Sequence, residues 1–294
     1  MRKTCLRLVY ELAKQDERIV FIGSDLGAGV MEDFKHEMPD RFFMEGIGEA
    51  NMVGMAAGMA LSGKIVYCHT IATFLTRRAF EQVCLDVGLH HANVRLIGAG
   101  GGAVYAPLGP THLAVDDIAL MRTIPGMTIL SPCDAVEMEA LMPSTVAHDG
   151  PIYIRLGKGG DPIVEKRTAT ERHRVLVVST GTTTQLACDV ADQCGAVNVL
   201  HMHRLKPVSA EWLREAIRDR EIVITVEDHS IVGGLGSMFA EAMAESGWQG
   251  RLKRIGYPDV FPSGYGTQDE MRARYGISVD NIVKTVKELC GSTR

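Results

Sequence analysis

A glutamate stands where an acid is least expected. In Phe42-Phe43-Met44-Glu45-Gly46-Ile47-Gly48-Glu49-Ala50-Asn51-Met52, an extended segment runs into a helical pattern that continues to Leu61. That helix is so rich in Ala, Gly and Met that it must be buried nearly all round. An ionised carboxylate is costly to bury, so Glu49 must be paired, protonated and hydrogen-bonded, or set at the positive end of its helix as a cap. Other groups invite chemistry too. His112, in Gly109-Pro110-Thr111-His112, follows a proline of fixed φ and precedes a helix, a placement that presents a side chain into a cleft. Arg155 ends an apolar strand, where its guanidinium requires an anion, either a ligand or an acid of the same domain. Gly98-Ala99-Gly100-Gly101-Gly102 has glycines that let N–H groups approach a phosphate, but neither nucleotide-binding fingerprint is present. Arg77 and Arg78 read as a solvated face or as ion pairs.

The elements that must hold these groups alternate in a regular way. A helix over 3–15 leads to strand 18–23 and the Ser24-Asp25-Leu26-Gly27 loop. After the Glu49 helix come strand 64–69, helix 74–90, strand 94–98, helix 114–122, strand 127–130, helix 134–147 and strand 151–155. Apolar strands alternating with helices at this spacing predict an α/β fold with a mostly parallel sheet covered on both faces. A polar, Gly-rich stretch over 161–172 reads as a linker between domains 1–160 and 173–294. Beyond it the alternation resumes in a second, smaller α/β domain with strands at 174–179, 197–201 and 221–226. In such sheets ligands gather outside the carboxyl ends of the strands, which is where Asp25, Glu49, His69 to Phe74, the 98–112 loop and Arg155 fall.

Composition bounds the partners. The 294 residues are 46% hydrophobic and carry 31 basic against 36 acidic side chains, a net charge of -5. That balance offers no basic stripe for nucleic acid and no polybasic membrane anchor. The N-terminal residues enter an amphipathic helix without a signal-peptide core, so a cytoplasmic protein is expected. Seven cysteines, with no Cys-x-x-Cys and no His ligand spacing, argue against a disulfide framework and a zinc site, and no metal ligand is assigned.

Several separated motifs resemble transketolases and 1-deoxyxylulose-5-phosphate synthases: Arg41 to Glu49, Ala72-Thr73-Phe74-Leu75-Thr76-Arg77-Arg78-Ala79-Phe80-Glu81-Gln82, Gly109-Pro110-Thr111-His112, Ser131-Pro132-Cys133-Asp134, Leu205-Lys206-Pro207 and Glu227-Asp228-His229. The resemblance implies a pyrimidine-binding domain followed by a transketolase C-terminal domain, with thiamine diphosphate as cofactor. It places Glu49 at N1′ of the aminopyrimidine, where a carboxyl group favours the 4′-imino tautomer that removes the thiazolium proton. It places Phe74 and Phe80 around the pyrimidine ring, Asp25 near the thiazolium, His112 at the substrate oxygens and Arg155 at a sugar phosphate. Within the family the region of Glu227, Asp228 and His229 supports subunit packing.

Three departures qualify that picture. The Gly-Asp-Gly motif that holds the diphosphate and its Mg2+ or Ca2+ is missing, which implies a separate partner subunit and an α2β2 assembly in which this chain also pairs with itself. Leu108 stands where family members reading a donor hydroxyl have Asp, and Gly100 falls where a second family His binds phosphate. Together they imply a modified, shorter or less hydroxylated sugar-like donor, with His69 as a substitute contact or a core histidine. The expected function is transfer of a two-carbon ketol unit to an aldehyde. The alternatives are a 2-oxo-acid dehydrogenase β subunit or a pyruvate-using carboligase, and a non-catalytic assembly subunit.

Overall fold

Alternate residues of the first strand face opposite ways, and that alternation builds the larger half of the molecule. The computed structural model describes residues 1–24, 29, 31–157, 162–165 and 171–291. Strand β1 (Ile19–Gly23) sends Ile19 and Phe21 into one apolar cluster and Val20 and Ile22 into another, as period-two side chains must. On the first side lie helices α1 (Arg2–Gln15) and α6 (Ala135–Ala147); on the second lie α3 (Glu49–Leu61) and a helical run from Phe74 to Leu89. Helix α1 is held there through Leu6, Val9 and Ala13, spaced three and four residues apart on its buried face.

The remaining elements follow in chain order: α2 (Glu32–Glu37), β2 (Phe42–Met44), β3 (Ile65–Ile71), α4 (Phe80–Gln82), β4 (Val94–Ala99), α5 (Asp117–Arg122), β5 (Thr128–Leu130) and β6 (Ile152–Leu156). The second half contributes β7 (Val175–Ser179), α7 (Thr184–Cys194), β8 (Val197–His201), β9 (Arg204–Lys206), α8 (Ala210–Ile217), β10 (Ile222–Ser230), α9 (Leu235–Ser246), β11 (Arg251–Tyr257), α10 (Gln268–Arg274) and α11 (Val279–Gly291). Among the described residues one sheet has seven strands in the order β2-β1-β3-β4-β6-β5-β9, and the other has four, β11-β10-β7-β8. Within these sheets every pairing is parallel except that of β9 with β5. The α/β architecture expected from the alternating pattern is therefore present in both halves.

The halves are not independent. Strand β9 lies beyond the expected linker yet completes the first sheet, pairing Lys206 with Ile129. The cluster on the α3 side of the large sheet also runs on through Leu176, Val178, Leu213 and Phe239 of the second half. Residues 158–161 and 166–170, which include half of that linker, lie outside the described residues.

Several boundaries differ from the sequence pattern for local reasons. The helix expected from 114 starts at Asp117, because Gly102 and Ala114 exchange both backbone hydrogen bonds (2.8 and 3.0 Å). Strand β10 runs on to Ser230, so Glu227, Asp228 and His229 are buried within it. The 74–90 helix is π-helical over Phe74–Arg78 and Val83–Leu89, with only Phe80–Gln82 as α-helix. Such widened turns re-aim side chains and are frequent at functional sites.

Candidate active site

Glu49 is the first residue of α3, next to the helix's positive end, and is 2% exposed. Its Oε2 accepts a 2.6 Å hydrogen bond from Nη1 of Arg78, on the π-helical turn. The same guanidinium lies over the ring of Phe74, 4.5 Å from its centroid, an arrangement held together by charge and the ring quadrupole. Phe74 in turn meets the edge of His112, with centroids 5.1 Å apart and planes at 69°. His112 ends the short 3₁₀ turn Pro110–His112, and its Nδ1 lies 2.9 Å from Thr111 Oγ1. Glu49, Arg78, Phe74 and His112 thus form one continuous string, contributed by three segments at the carboxyl edge of the large sheet. Arg77, one residue earlier on the same turn, pairs with Asp116 at 2.8 Å.

The π-turn explains this convergence. It presents Phe74 and Arg78 together, whereas Phe80, in the α-helical part that follows, packs against the main core. Arg78 is the member whose partner sequence reasoning missed. An arginine four residues after Phe74 carried no sign of which acid it would find, because Glu49 lies 29 residues away.

Arg155 has other company. Its Nε donates to Asp117 at 2.8 Å, and its Nη2 to the carbonyls of Asp228 (2.9 Å) and Ala114 (3.3 Å). Asp117 also accepts from Tyr153 Oη at 2.7 Å. Burial opposes the charge on Arg155, but Asp117 outweighs it and holds the guanidinium pKa above its ordinary value. Of the two partners open to Arg155 from sequence, an internal acid or a ligand, the structure provides the acid. His69 is fully buried on the Tyr67 side of β3, its ring stacked on Phe21 at 6.3 Å, away from the Glu49 string. Leu108 is 53% exposed on the loop before His112. Asp25 lies outside the described residues.

The Gly98–Gly102 loop does not cradle an anion, since its amides are committed within the chain. Gly100 and Gly101 both donate to Leu156 O at 2.9 Å, Gly102 to Ala114 O, and Ala103 to the Asp228 carboxylate at 3.2 Å. Its glycines serve close approach. A Cβ on Gly101 would lie 2.7 Å from Arg155, and one on Gly102, at φ +74°, 2.3 Å from Asp228. At Gly100, where φ is +80°, any side chain would run into the Tyr105 ring at 2.1 Å.

Asp228 and His229 link the second half to the first, through Ala103, Arg155 and Ala119, while Glu227 works within the second half. Asp228 accepts from Tyr257 (2.9 Å), Gln268 (2.8 Å) and Arg272 Nε (3.0 Å). Burial pushes its pKa up, but Arg272 and Arg155 prevail and hold it below the ordinary carboxylate range. Glu227 accepts the first amides of α9, from Leu235 and Gly236, at 2.7 and 2.8 Å, while burial raises its pKa. His229 Nε2 accepts from the Ala119 amide (3.3 Å), which leaves its proton on Nδ1, 2.7 Å from Ser230 O.

Two parallel-sheet units, joined through Asp228 and presenting a buried glutamate beside a phenylalanine, define a pyrimidine-binding and C-terminal domain pair. Residues 1–160 match the family described as transketolase, pyrimidine binding domain, and residues 165–282 match transketolase, C-terminal domain. The chain belongs to the transketolase family, whose members use thiamine diphosphate. It is 33% identical to the 6-deoxy-6-sulfo-D-fructose transketolase subunit of Clostridium sp. (strain MSTE9), over 98% of this chain and 94% of that one. It is 35% identical to an apulose-4-phosphate transketolase subunit of Phocaeicola vulgatus, over 98% and 96%. Among solved structures it superposes on one described as a split gene transketolase, inactive beta4 tetramer, with TM-score 0.88, 32% identity and coverage of 100% and 99%.

Proposed function

We propose that this chain is the pyrimidine-binding subunit of a two-component transketolase that moves a two-carbon ketol unit from a modified, sugar-like donor to an aldehyde. The observation that carries this reading is the Glu49–Arg78–Phe74–His112 string: a buried carboxyl group beside an aromatic face and a histidine. These residues fit the pyrimidine half of thiamine diphosphate. Glu49 would share its carboxyl proton with N1′, Phe74 would orient the ring, and His112 would meet substrate oxygens. When bound, the cofactor supplies the carbanion that makes and breaks the C–C bond.

Arg78 has a positioning role in this scheme, holding the Glu49 carboxyl group by one oxygen. Its guanidinium also covers the Phe74 face, so ring binding requires it to share that face or swing aside. Swinging aside leaves the 2% exposed Glu49 without this partner, at a cost of about 1–3 kcal/mol where no other donor steps in. Because Arg155 is committed to Asp117, recognition of a donor's anionic group falls to Arg78 or to the partner subunit. Leu108 cannot accept a hydrogen bond from a donor hydroxyl, which favours a donor altered at that position. The named relatives are a 6-deoxy-6-sulfo-D-fructose transketolase subunit and an apulose-4-phosphate transketolase subunit, one named for a sulfonated sugar and the other for a sugar phosphate.

The partner would carry the Gly-Asp-Gly site for the diphosphate and its Mg2+ or Ca2+. Exposed apolar side chains support partners on two faces. Ile47, Leu61 and Leu89 (76, 60 and 75% exposed) lie on or beside α3 and the run it packs against, and Phe261 and Tyr265 (92 and 69%) are exposed near the His112 loop, with Tyr265 against Gly109.

The test uses this chain reconstituted with a partner that contains Gly-Asp-Gly. Glu49→Gln is expected to lose several orders of magnitude in ketol-transfer rate with its circular dichroism unchanged; near-wild-type turnover would refute the role. Carbon dioxide released from a 2-oxo acid, with no transfer from any ketose, would move the assignment to the decarboxylating alternatives.

A further inference from the structure

We propose that Cys133, Glu137, His201 and His203 bind one divalent transition-metal ion of the zinc type, at a site separate from the Glu49 string. Donor atoms of Cys133, Glu137 and His201 all lie within 4.8 Å of one another, and the three residues are almost wholly buried. His203 Nδ1 lies 3.6 Å from Glu137 Oε1, with its side chain 43% exposed on an open cavity shared with Arg204 and Trp212. Sulfur, carboxylate and two imidazoles are the ligand types zinc takes in four-coordinate sites. No sequence spacing advertises the set, because Cys133 lies just before α6 and Glu137 in its first turn while His201 ends β8, 64 residues beyond Glu137.

The surroundings favour a metal over a simple buried ion pair. His201 Nδ1 lies 2.6 Å from Thr184 Oγ1, which accepts from Ser179 Oγ at 3.1 Å, so the ring is fixed with Nε2 aimed at Glu137, 2.7 Å away. That is how a metal-binding imidazole is held by its second nitrogen. Glu137 also closes the first turn of α6, accepting from the Cys133 amide at 2.8 Å while its own amide donates to Asp134. That capping duty needs neither a thiol nor two histidines. On binding, the Cys133 thiol gives its proton to solvent and the imidazoles bind neutral. One thiolate and one carboxylate then balance the ion's two charges, which makes the loaded site cheap to bury. The metal takes the place of the proton on the His201–Glu137 contact; the neutral imidazole keeps one proton, on Nδ1 facing Thr184 Oγ1, any further proton leaves to solvent, and the short contact widens. The ion would join the first half of the chain to the second.

The whole purified chain, stripped with EDTA and kept reduced without oxygen, is titrated with Co2+. One equivalent is expected to bind, giving a thiolate-to-cobalt charge-transfer band and the intense visible bands of a tetrahedral site. Zn2+ is expected to displace it and to raise the unfolding temperature. Cys133→Ser should abolish the charge-transfer band, and His203→Gln should weaken Co2+ affinity at least tenfold. Absence of the band in the wild-type chain overturns the site, as does a band that persists in Cys133→Ser. If Cys133→Ser does not fold, the half-exposed His203 decides: undiminished affinity in His203→Gln overturns the proposal.

Discussion

Arg78 binds Glu49 and covers Phe74 at once, so one side chain touches both groups proposed to hold the cofactor. Removing it leaves a carboxylate that is 2% exposed without this partner, a loss of about 1–3 kcal/mol where no other donor steps in. In the reconstituted enzyme, Arg78→Met is expected to lower kcat at least tenfold while changing the KM for thiamine diphosphate less, since the Phe74 face is simultaneously freed. Steady-state kinetics with varied cofactor check that split. Asp228 makes the opposite kind of contribution, to stability. Its carboxyl pKa is held below the ordinary value, so its contribution is fully present above the unfolded pKa of about 4 and is lost as pH falls through the lower folded value. Asp228→Asn should therefore cost about 3–5 kcal/mol at neutral pH, by removing the buried carboxylate that faces Arg272, and the gap to wild type should narrow as pH drops below the carboxylate range. Urea unfolding at several pH values measures both.

At the level of elements, the Gly98–Gly102 loop shows how a motif-like sequence acquires a packing role. The backbone is pulled against Tyr105, Arg155 and Asp228 so tightly that side chains are excluded. Gly102→Ala combines a φ of +74° with a Cβ placed 2.3 Å from Asp228, and should cost about 3 kcal/mol or more. A fall in thermal midpoint of several degrees, with weakened protection of β10 in hydrogen exchange, is the expected readout. The same compaction accounts for Gly100, where any side chain would collide with Tyr105. Most helices and strands were legible because their apolar periods are clean. The π-turn at Phe74–Arg78 was not, since no local residue pattern distinguishes a wide turn from an α-helical one.

For the whole molecule, the proposed two-component reading leaves the diphosphate half of the thiamine site to a partner, and apolar side chains on or beside α3 are exposed. The chain purified by itself is expected to show no ketol transfer, and activity should appear on addition of the diphosphate-binding partner, alongside a larger assembly by native mass spectrometry. Robust transfer by the lone chain would sink the two-component reading. The shared apolar cluster and strand β9 imply that the halves unfold together, so the two are one cooperative unit despite their separate sheets.

By itself the sequence determined the alternating α/β order and the family, and it singled out Glu49 as an acid entering a buried helix, because hydrophobic period, turn residues and a misplaced acid are local signals. Only the tertiary structure decided what each charged side chain meets. It gave Arg155 to Asp117 rather than to a ligand, Arg78 to Glu49, and His201 to Glu137. Those pairings join residues that are 38, 29 and 64 positions apart. A buried ion must find a partner somewhere, but which partner lies within 3 Å depends on how strands and helices cross, and that is fixed only when the sheets pack.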